Sequence, residues 1–342
     1  MKSESVHIVE QLYKNPQAIL GLEEPQIQDN MVVVPITLKG TLLDFISMTE
    51  AEDKGLITIK ETEQVNNLEI FNKSDQLVLI PFGTTVKGGK QDRTIWESIL
   101  LPAESGSKVK GADRNYVVPA KCVEQSRWSY KGNKGKGFRS AKTRLHPNLA
   151  YAAQTAGGQG AVWNEIQSHR AEMSIASDVA PTQNYLEMME TIEKDTEKIV
   201  NKFKNVKDQC GIAVFINGEF IGMEFYANVK AWSSMSEDII KAFSVEALRF
   251  KGKPAKRVEG KYSDIITRAL KELKMNFSVR KGVGLGNVVD FNSEDEKWRG
   301  NTLVHEDIMV QFYLVSKRGG SSENPPVRLQ RQDYVQQMVR DF

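Results

Sequence analysis

The stretch "KGGKQDR", residues 87–93, sets two glycines among two lysines, a glutamine, an aspartate and an arginine. Glycine permits positive backbone torsions and lets the chain approach a ligand closely. Successive N–H groups in such a turn can cradle an anion. Lys87, Lys90 and Arg93 add positive charge, and Arg93 can grip a phosphate or carboxylate through two bonds. Gln91 offers a donor and an acceptor, which suits an amide or a base edge. The Gly-Lys-Ser/Thr ending and following helix of a Walker loop are missing. The plainer reading is an exposed hairpin turn with ordinary surface polar residues.

A second set is "AKCVEQSRWSY", residues 120–130. Glu124 could orient Arg127 toward an anion, or act as a general acid or base if burial raises its pKa. Trp128 offers a face for a base or a guanidinium. The competing reading is a structural Glu–Arg pair beside a core tryptophan. Cys122 alternates with Glu124 along strand-like text, but no base is assigned to activate it, so it reads as a small buried apolar residue. A third set, "GGQGAVWNEI" (157–166), places Gln159 among three glycines before a helix, whose N-terminus can bind anions; Trp163 reads as core.

Other motifs fail on context. "GVGLGN" (282–287) precedes a strand rather than a helix, which excludes a dinucleotide fingerprint. His7, His146, His169 and His305 show no metal spacing, and Cys122 and Cys210 make neither a disulfide framework nor a zinc site. No metal and no cofactor is expected. His305 reads as a structural histidine.

These residues need elements to position them. Residues 5–20 have the spacing of an amphipathic helix. From 30 to about 125 the text is mostly short strands: 30–40, "LITIK" after a short helix capped by Thr49 and ended by Gly55, two strands around the turn "NKSD", then "TIWESILLP" and "NYVVPAKCVE". This pattern suggests a barrel or sandwich. Residues 147–172 and 182–206 read as helices, the second capped by Thr182. "CGIAVFINGEFIGMEFY" is a hairpin with Asn217-Gly218 in a type I′ turn. Residues 229–250 and 262–274 read as helices, the first burying Trp232, Met235, Ile239, Phe243 and Leu248. Strands return at 276–280, 285–291 and 307–315. The fold class is therefore α+β: a β-rich, barrel- or sandwich-like N-terminal half, a helical middle, and a returning hairpin and sheet. The divisions are an N-terminal helix or arm (1–28), a β-rich part (29–130), a basic loop (131–146), an α/β part (147–315), and a linker and tail (316–342).

The chain has 342 residues, 40% hydrophobic, with 46 Lys plus Arg against 44 Asp plus Glu. So even a balance gives no field that would argue for nucleic acid or a membrane. Residues 130–144 are the local exception, a basic run that reads as a solvated loop or as a flap over an anionic ligand. With no apolar leader and no run of about 18 apolar residues, a cytoplasmic protein is expected.

Taken in order, these segments resemble a prokaryotic family, the ARPP-type domain associated with ADP-ribosylglycohydrolase and rhodanese-phosphatase proteins. The resemblance rests on "MTEAEDKGL", "NKSDQLVLIPFGTTVKGGKQDR", "VPAKCVEQSRWSY", "QGAVWNEI" and "INGEFIGMEF", and runs from about residue 30 to 315. It departs from the family pattern at Asp92 and Ser126, where asparagine and glycine are usual. It implies NAD or ADP-ribose chemistry, and Gln91 and Arg93 stand where the family keeps Gln and Arg; the ligand-binding residues expected here are Lys90, Gln91, Arg93, Arg127, Trp128 and Gln159. Glu124 would be the catalytic group if the protein is a ribosyl hydrolase. A nucleotide sensor or sponge would use the same pocket without turnover. A structural or assembly protein would place the motif at a subunit interface of a homo-oligomer.

Overall fold

The computed structural model describes residues 3–104, 114–125, 127–130, 137–155, 157–173 and 184–317. Helices α1 (Glu4–Lys14) and α2 (Pro16–Ile19) precede strands β1 (Leu20–Leu22), β2 (Gln26–Gln28), β3 (Met31–Leu38) and β4 (Ile46–Ser47). After α3 (Met48–Asp53) come β5 (Ile57–Glu61), β6 (Asn67–Asn72), β7 (Val78–Ile80), β8 (Thr84–Gly88), β9 (Arg93–Ile95), β10 (Ile99–Leu101), β11 (Arg114–Cys122) and β12 (Gly137–Arg144). The middle holds α4 (Pro147–Ala153), α5 (Gly158–Glu172), α6 (Tyr185–Thr191) and α7 (Glu193–Val200). The hairpin β13 (Gly211–Ile216) and β14 (Glu219–Tyr226) leads to α8 (Val229–Leu248) and α9 (Tyr262–Glu272). The last four strands are β15 (Met275–Lys281), β16 (Asn287–Ser293), β17 (Trp298–His305) and β18 (Ile308–Ser316).

The architecture is α+β, built on a large sheet, a closed barrel and a small three-stranded sheet, β10-β7-β4. Nine strands form an antiparallel sheet in the order β1-β3-β13-β14-β18-β17-β16-β15, with β2 beside β3. Its central strand β13 is buried at every residue, as its unbroken apolar text requires of a strand covered on both faces. Helices α1 and α9 cover one face through Val9, Leu12 and Ile266. The other face packs on α8 through Trp232, Met235, Ile239 and Phe243, the helical spacing noted above.

The second unit is a closed barrel, β11-β6-β5-β12-β8-β9. Alternation fills it: Ile57, Ile59 and Glu61 of β5 are buried while Thr58 and Lys60 are exposed. Pro119 sits where β11 leaves β6 for β9: residues 114–119 pair with β6, and 120–122 with β9. A residue without an N–H is tolerated at such a change of partner. Arg144, at the end of β12, ties the barrel to the large sheet. Its guanidinium donates to Tyr226 Oη at 2.9 Å and Glu224 Oε1 at 2.7 Å in a buried network that includes Gln311.

Local differences from the sequence reading have physical causes. Pro16 splits the first helix. Ser47, not Thr49, caps α3, its hydroxyl accepting from the Glu50 N–H at 3.2 Å; Gly55 follows α3 with φ +68°. "TIWESILLP" contributes to two strands in different sheets, because Ser98 turns inward to Gln311 and Asn301. Among the described residues the middle breaks into four helices. Asn184 caps α6, and Thr182 lies outside the described residues. The text around His305 is a hairpin: Glu306 and Asp307 take φ +47° and +61° between β17 and β18. Residues 137–144 of the basic run form barrel strand β12, and 131–136 lie outside the description, as does the tail from 318.

Candidate functional site

Strand register brings the two predicted segments to one end of the barrel. Glu61 ends β5 opposite Leu68 near the start of β6. Gly88 at the end of β8 pairs with Phe138 at the start of β12. Arg93 opens β9 opposite Cys122, the last residue of β11. The loops 62–66 and 89–92 and the described residues 123–125 and 127–130 therefore meet at a single mouth.

The glycines serve the barrel itself. Gly88 and Gly89 have φ +140° and +51°. A Cβ on Gly89 would lie 2.2 Å from Phe138 Cζ, and one on Gly88 would lie 2.5 Å from the Gly137 oxygen. The loop N–H groups are bonded from within. Gly88 N–H donates to Asp92 Oδ1 (2.8 Å), Lys90 N–H to Glu61 Oε2 (3.2 Å) and Asp92 N–H to Glu124 Oε2 (3.0 Å). Gly89 N–H reaches the Gly137 carbonyl at 3.3 Å. Where an anion nest was expected, the chain supplies its own carboxylates.

Arg93 is fully buried and plugs the mouth. One guanidinium nitrogen donates to the Val65 carbonyl at 2.8 Å and to Cys122 Sγ, and the other faces Glu61 Oε2 at 3.5 Å. Gln91 is buried too: its Nε2 donates to the Glu124 carbonyl at 3.0 Å, and its Oε1 accepts from the Cys122 thiol at 3.0 Å. Burial pushes the Cys122 thiol up, against the lowering effect of Arg93. Glu124 is held at both oxygens, by Arg127 Nε at 2.6 Å on Oε1 and by Arg127 Nη2 and the Asp92 N–H on Oε2. Arg127 also reaches the Gly89 and Ser129 carbonyls. Gln159 forms a peptide-like pair with the end of β11. It accepts from the Cys122 N–H at 2.8 Å and donates to the Cys122 carbonyl at 2.6 Å. It thus anchors the strand from the first turn of α5.

Above this floor stands an exposed layer. The Trp128 indole is 42% exposed; Arg93 Cζ lies 5.3 Å and Lys90 Nζ 5.2 Å from its ring centroid. Lys90 also lies 5.6 Å from the Tyr130 ring and pairs with Glu63. Tyr130 donates to Glu63 Oε1 at 2.6 Å, and this bond pushes its hydroxyl up to about 12. Beneath the layer, Arg93 Nε and Glu61 Oε1 are buried with no hydrogen-bond partner.

Sequence reasoning missed the acids. Glu61 was findable, because period-two alternation in "ITIKE" puts it on the inward stripe with Ile57 and Ile59. Glu63 and Asn184 gave no such signal; Asn184 reaches Asp92 Oδ2 at 2.7 Å from 92 residues away. Among the described residues no group of three or more His, Cys, Asp or Glu is placed to hold a metal ion, and no helix is long and apolar enough to cross a membrane.

A family model described as the ARG and Rhodanese-Phosphatase-superfamily-associated Protein domain matches residues 20–315. No curated protein and no solved structure matches the chain.

Proposed function

The chain belongs to the ARG and Rhodanese-Phosphatase-superfamily-associated Protein domain family, and from that premise we propose that it binds an ADP-ribose-like or NAD-derived nucleotide at the barrel mouth without hydrolysing it. The family's description associates it with ADP-ribosylglycohydrolase and rhodanese-phosphatase systems. The observation that carries the reading is the half-exposed Trp128 ring, set against Arg93 and Lys90 over two unpartnered buried polar atoms. An indole packed against a cation, with much of its ring open to solvent, is a platform for a base. Lys90 Nζ lies over the same ring, 5.2 Å from its centroid, within reach of a phosphate. Gln91, Arg93, Arg127 and Gln159 support this platform through the bonds described.

Glu124 favours binding over turnover. A general acid or base needs an oxygen that can reach the reacting group, and both Glu124 oxygens are held by Arg127 and the Asp92 N–H. Calorimetry with ADP-ribose, followed by chromatography of the mixture, tests both parts. Heat of binding with intact ADP-ribose supports the reading. No heat refutes binding, and nicotinamide released from NAD in a parallel incubation would restore Glu124 as a catalyst.

A further inference from the structure

Away from the barrel mouth, three helices meet around two buried histidines. His146, the residue before α4, and His169, in the last turn of α5, are both essentially unexposed. Their rings pack with centroids 4.4 Å apart at 32°. His146 Nδ1 lies 2.8 Å from Glu246 Oε1 of α8. An ionised carboxylate there makes Nδ1 the donor. Glu246 also accepts from Asn148 and from Arg249 Nη1, and Arg249 pairs in turn with Glu172 of α5. Tyr185 of α6 accepts from the His146 N–H at 3.1 Å. The remaining ring nitrogens, His146 Nε2 and both of His169, have no hydrogen-bond partner and no contact with water.

We propose that this junction is a proton-operated latch: an uncharged His169 ring packed on His146 holds the C-terminal end of α5 down, and acid releases it. The geometry admits no imidazolium at His169. A charged ring would need an acceptor for each N–H, and it has none. It would also stand against the His146 ring. The charged groups that bear on the pair are Glu165 from α5 and Glu246 and Arg249 from α8, with Glu172 of α5 joined to them through Arg249. Glu246 and Glu172 are already paired. Burial pushes the Glu165 carboxyl up to about 6, so this neighbour too is held toward its neutral form. Burial, and then the charge of His146, push His169 down to about 3 from the ordinary 6.5.

The sign follows. A ring kept neutral in the closed junction takes up its proton only when solvated. Below about pH 6.5 each unit of acidification moves the equilibrium about tenfold toward the open form. In that form the imidazolium is free to meet Glu165. Gln159 lies ten residues before His169 on the same helix, about 15 Å along its axis. Release of α5 therefore loosens the Gln159 pair on Cys122, whether or not the barrel mouth binds a nucleotide.

Amide hydrogen exchange on the whole chain, corrected for intrinsic rates, tests the latch between pH 7.5 and 5.0. Amides of α5 and the Cys122 amide should lose protection by about tenfold per unit below pH 6.5, while β13 and β14 keep theirs. His169→Phe, which retains a packed ring without a titrating group, should keep α5 protected at pH 5.0. Flat α5 protection in the wild type overturns the proposal. So does a variant that loses protection as the wild type does. If the variant fails to fold, NMR titration of the wild-type ring decides: a His169 that protonates near pH 6.5 while α5 stays protected is incompatible with a latch.

Discussion

Arg93 Cζ lies 5.3 Å from the centre of the Trp128 ring, yet Arg93 is fully buried and Trp128 is 42% exposed. The indole thus packs against a buried cation, with Lys90 Nζ also 5.2 Å from its ring, while much of it stays open to solvent. A planar base laid on the open part of the ring would extend this stack. Because the inner cation is fixed by Val65 and Cys122, the platform is preorganised, and ordering costs on binding are correspondingly low.

Trp128→Ala should remove most of this affinity with little effect on folding. Loss of one base–aromatic stack is worth roughly 1–3 kcal/mol, so the Kd for ADP-ribose should rise about 5- to 150-fold. The melting temperature should hardly move, since the ring is half in water. Trp128→Phe should retain an intermediate affinity. Calorimetry paired with a thermal melt reads both quantities; unchanged affinity in Trp128→Ala would remove the ligand from this face.

The buried Arg93–Glu61 pair predicts a stability effect of the opposite character. Arg93→Met leaves the Glu61 carboxylate buried without its cation, which typically costs about 3–5 kcal/mol. Changing Glu61→Gln in the same chain removes the stranded charge and should recover a substantial part of that loss. Urea denaturation of both single variants and the double variant gives the coupling energy. Strict additivity would mean that the two groups, 3.5 Å apart, do not interact.

The sequence announced some of this arrangement and hid the rest, for separable reasons. The hairpin at Asn217-Gly218 and the buried side of α8 were legible because turn chemistry and helical period are local properties. So was a β-rich half that would close as a barrel or a sandwich, through its short strands. That the loop at 87–93 would meet the strand end at 122–128 was suggested by the two motifs taken together, not by their spacing. What stayed hidden was the wiring. The Glu63 partner of Lys90 and the Asn184 partner of Asp92 come from loops and helices whose approach depends on barrel closure. Text such as "KGGKQDR" shows which cations are present but not which acids neutralise them. His146, His169 and Glu246 were equally mute, because a histidine's burial depends on three helices meeting and not on its neighbours in the chain.

Gln159→Ala tests the anchor under the mouth. The substitution leaves the Cys122 N–H and carbonyl without the two bonds they now make. An unsatisfied buried group costs about 1–3 kcal/mol, so a loss of about 2–4 kcal/mol in urea denaturation is expected. Gln159→Glu should be nearly as damaging, since it keeps the acceptor but loses the donor. A loss of less than about 0.5 kcal/mol in both variants would show that water replaces the amide and that the anchor is dispensable.

Asp238 offers a pH-dependent test in a different part of the fold. It lies on α8 beside a small cavity lined by Thr84, Ser140, Lys142 and Arg144. Burial raises its carboxyl from 3.8 to about 6, against the opposing charge of Arg144. A folded-state value above the unfolded one means the fold prefers the protonated acid. The stabilising contribution is complete below about pH 3.8 and disappears as the pH rises through about 6. At pH 7.5 the ionised side chain is therefore a burden, and Asp238→Asn should raise stability by about 2–3 kcal/mol, at 1.36 kcal/mol per pKa unit. At pH 5.0 the wild-type residue is largely protonated and the gain should shrink to roughly half or less. Urea denaturation of both proteins at the two pH values measures the difference directly. An equal gain at pH 7.5 and 5.0 would trace the effect to shape or hydrogen bonding and not to the buried charge.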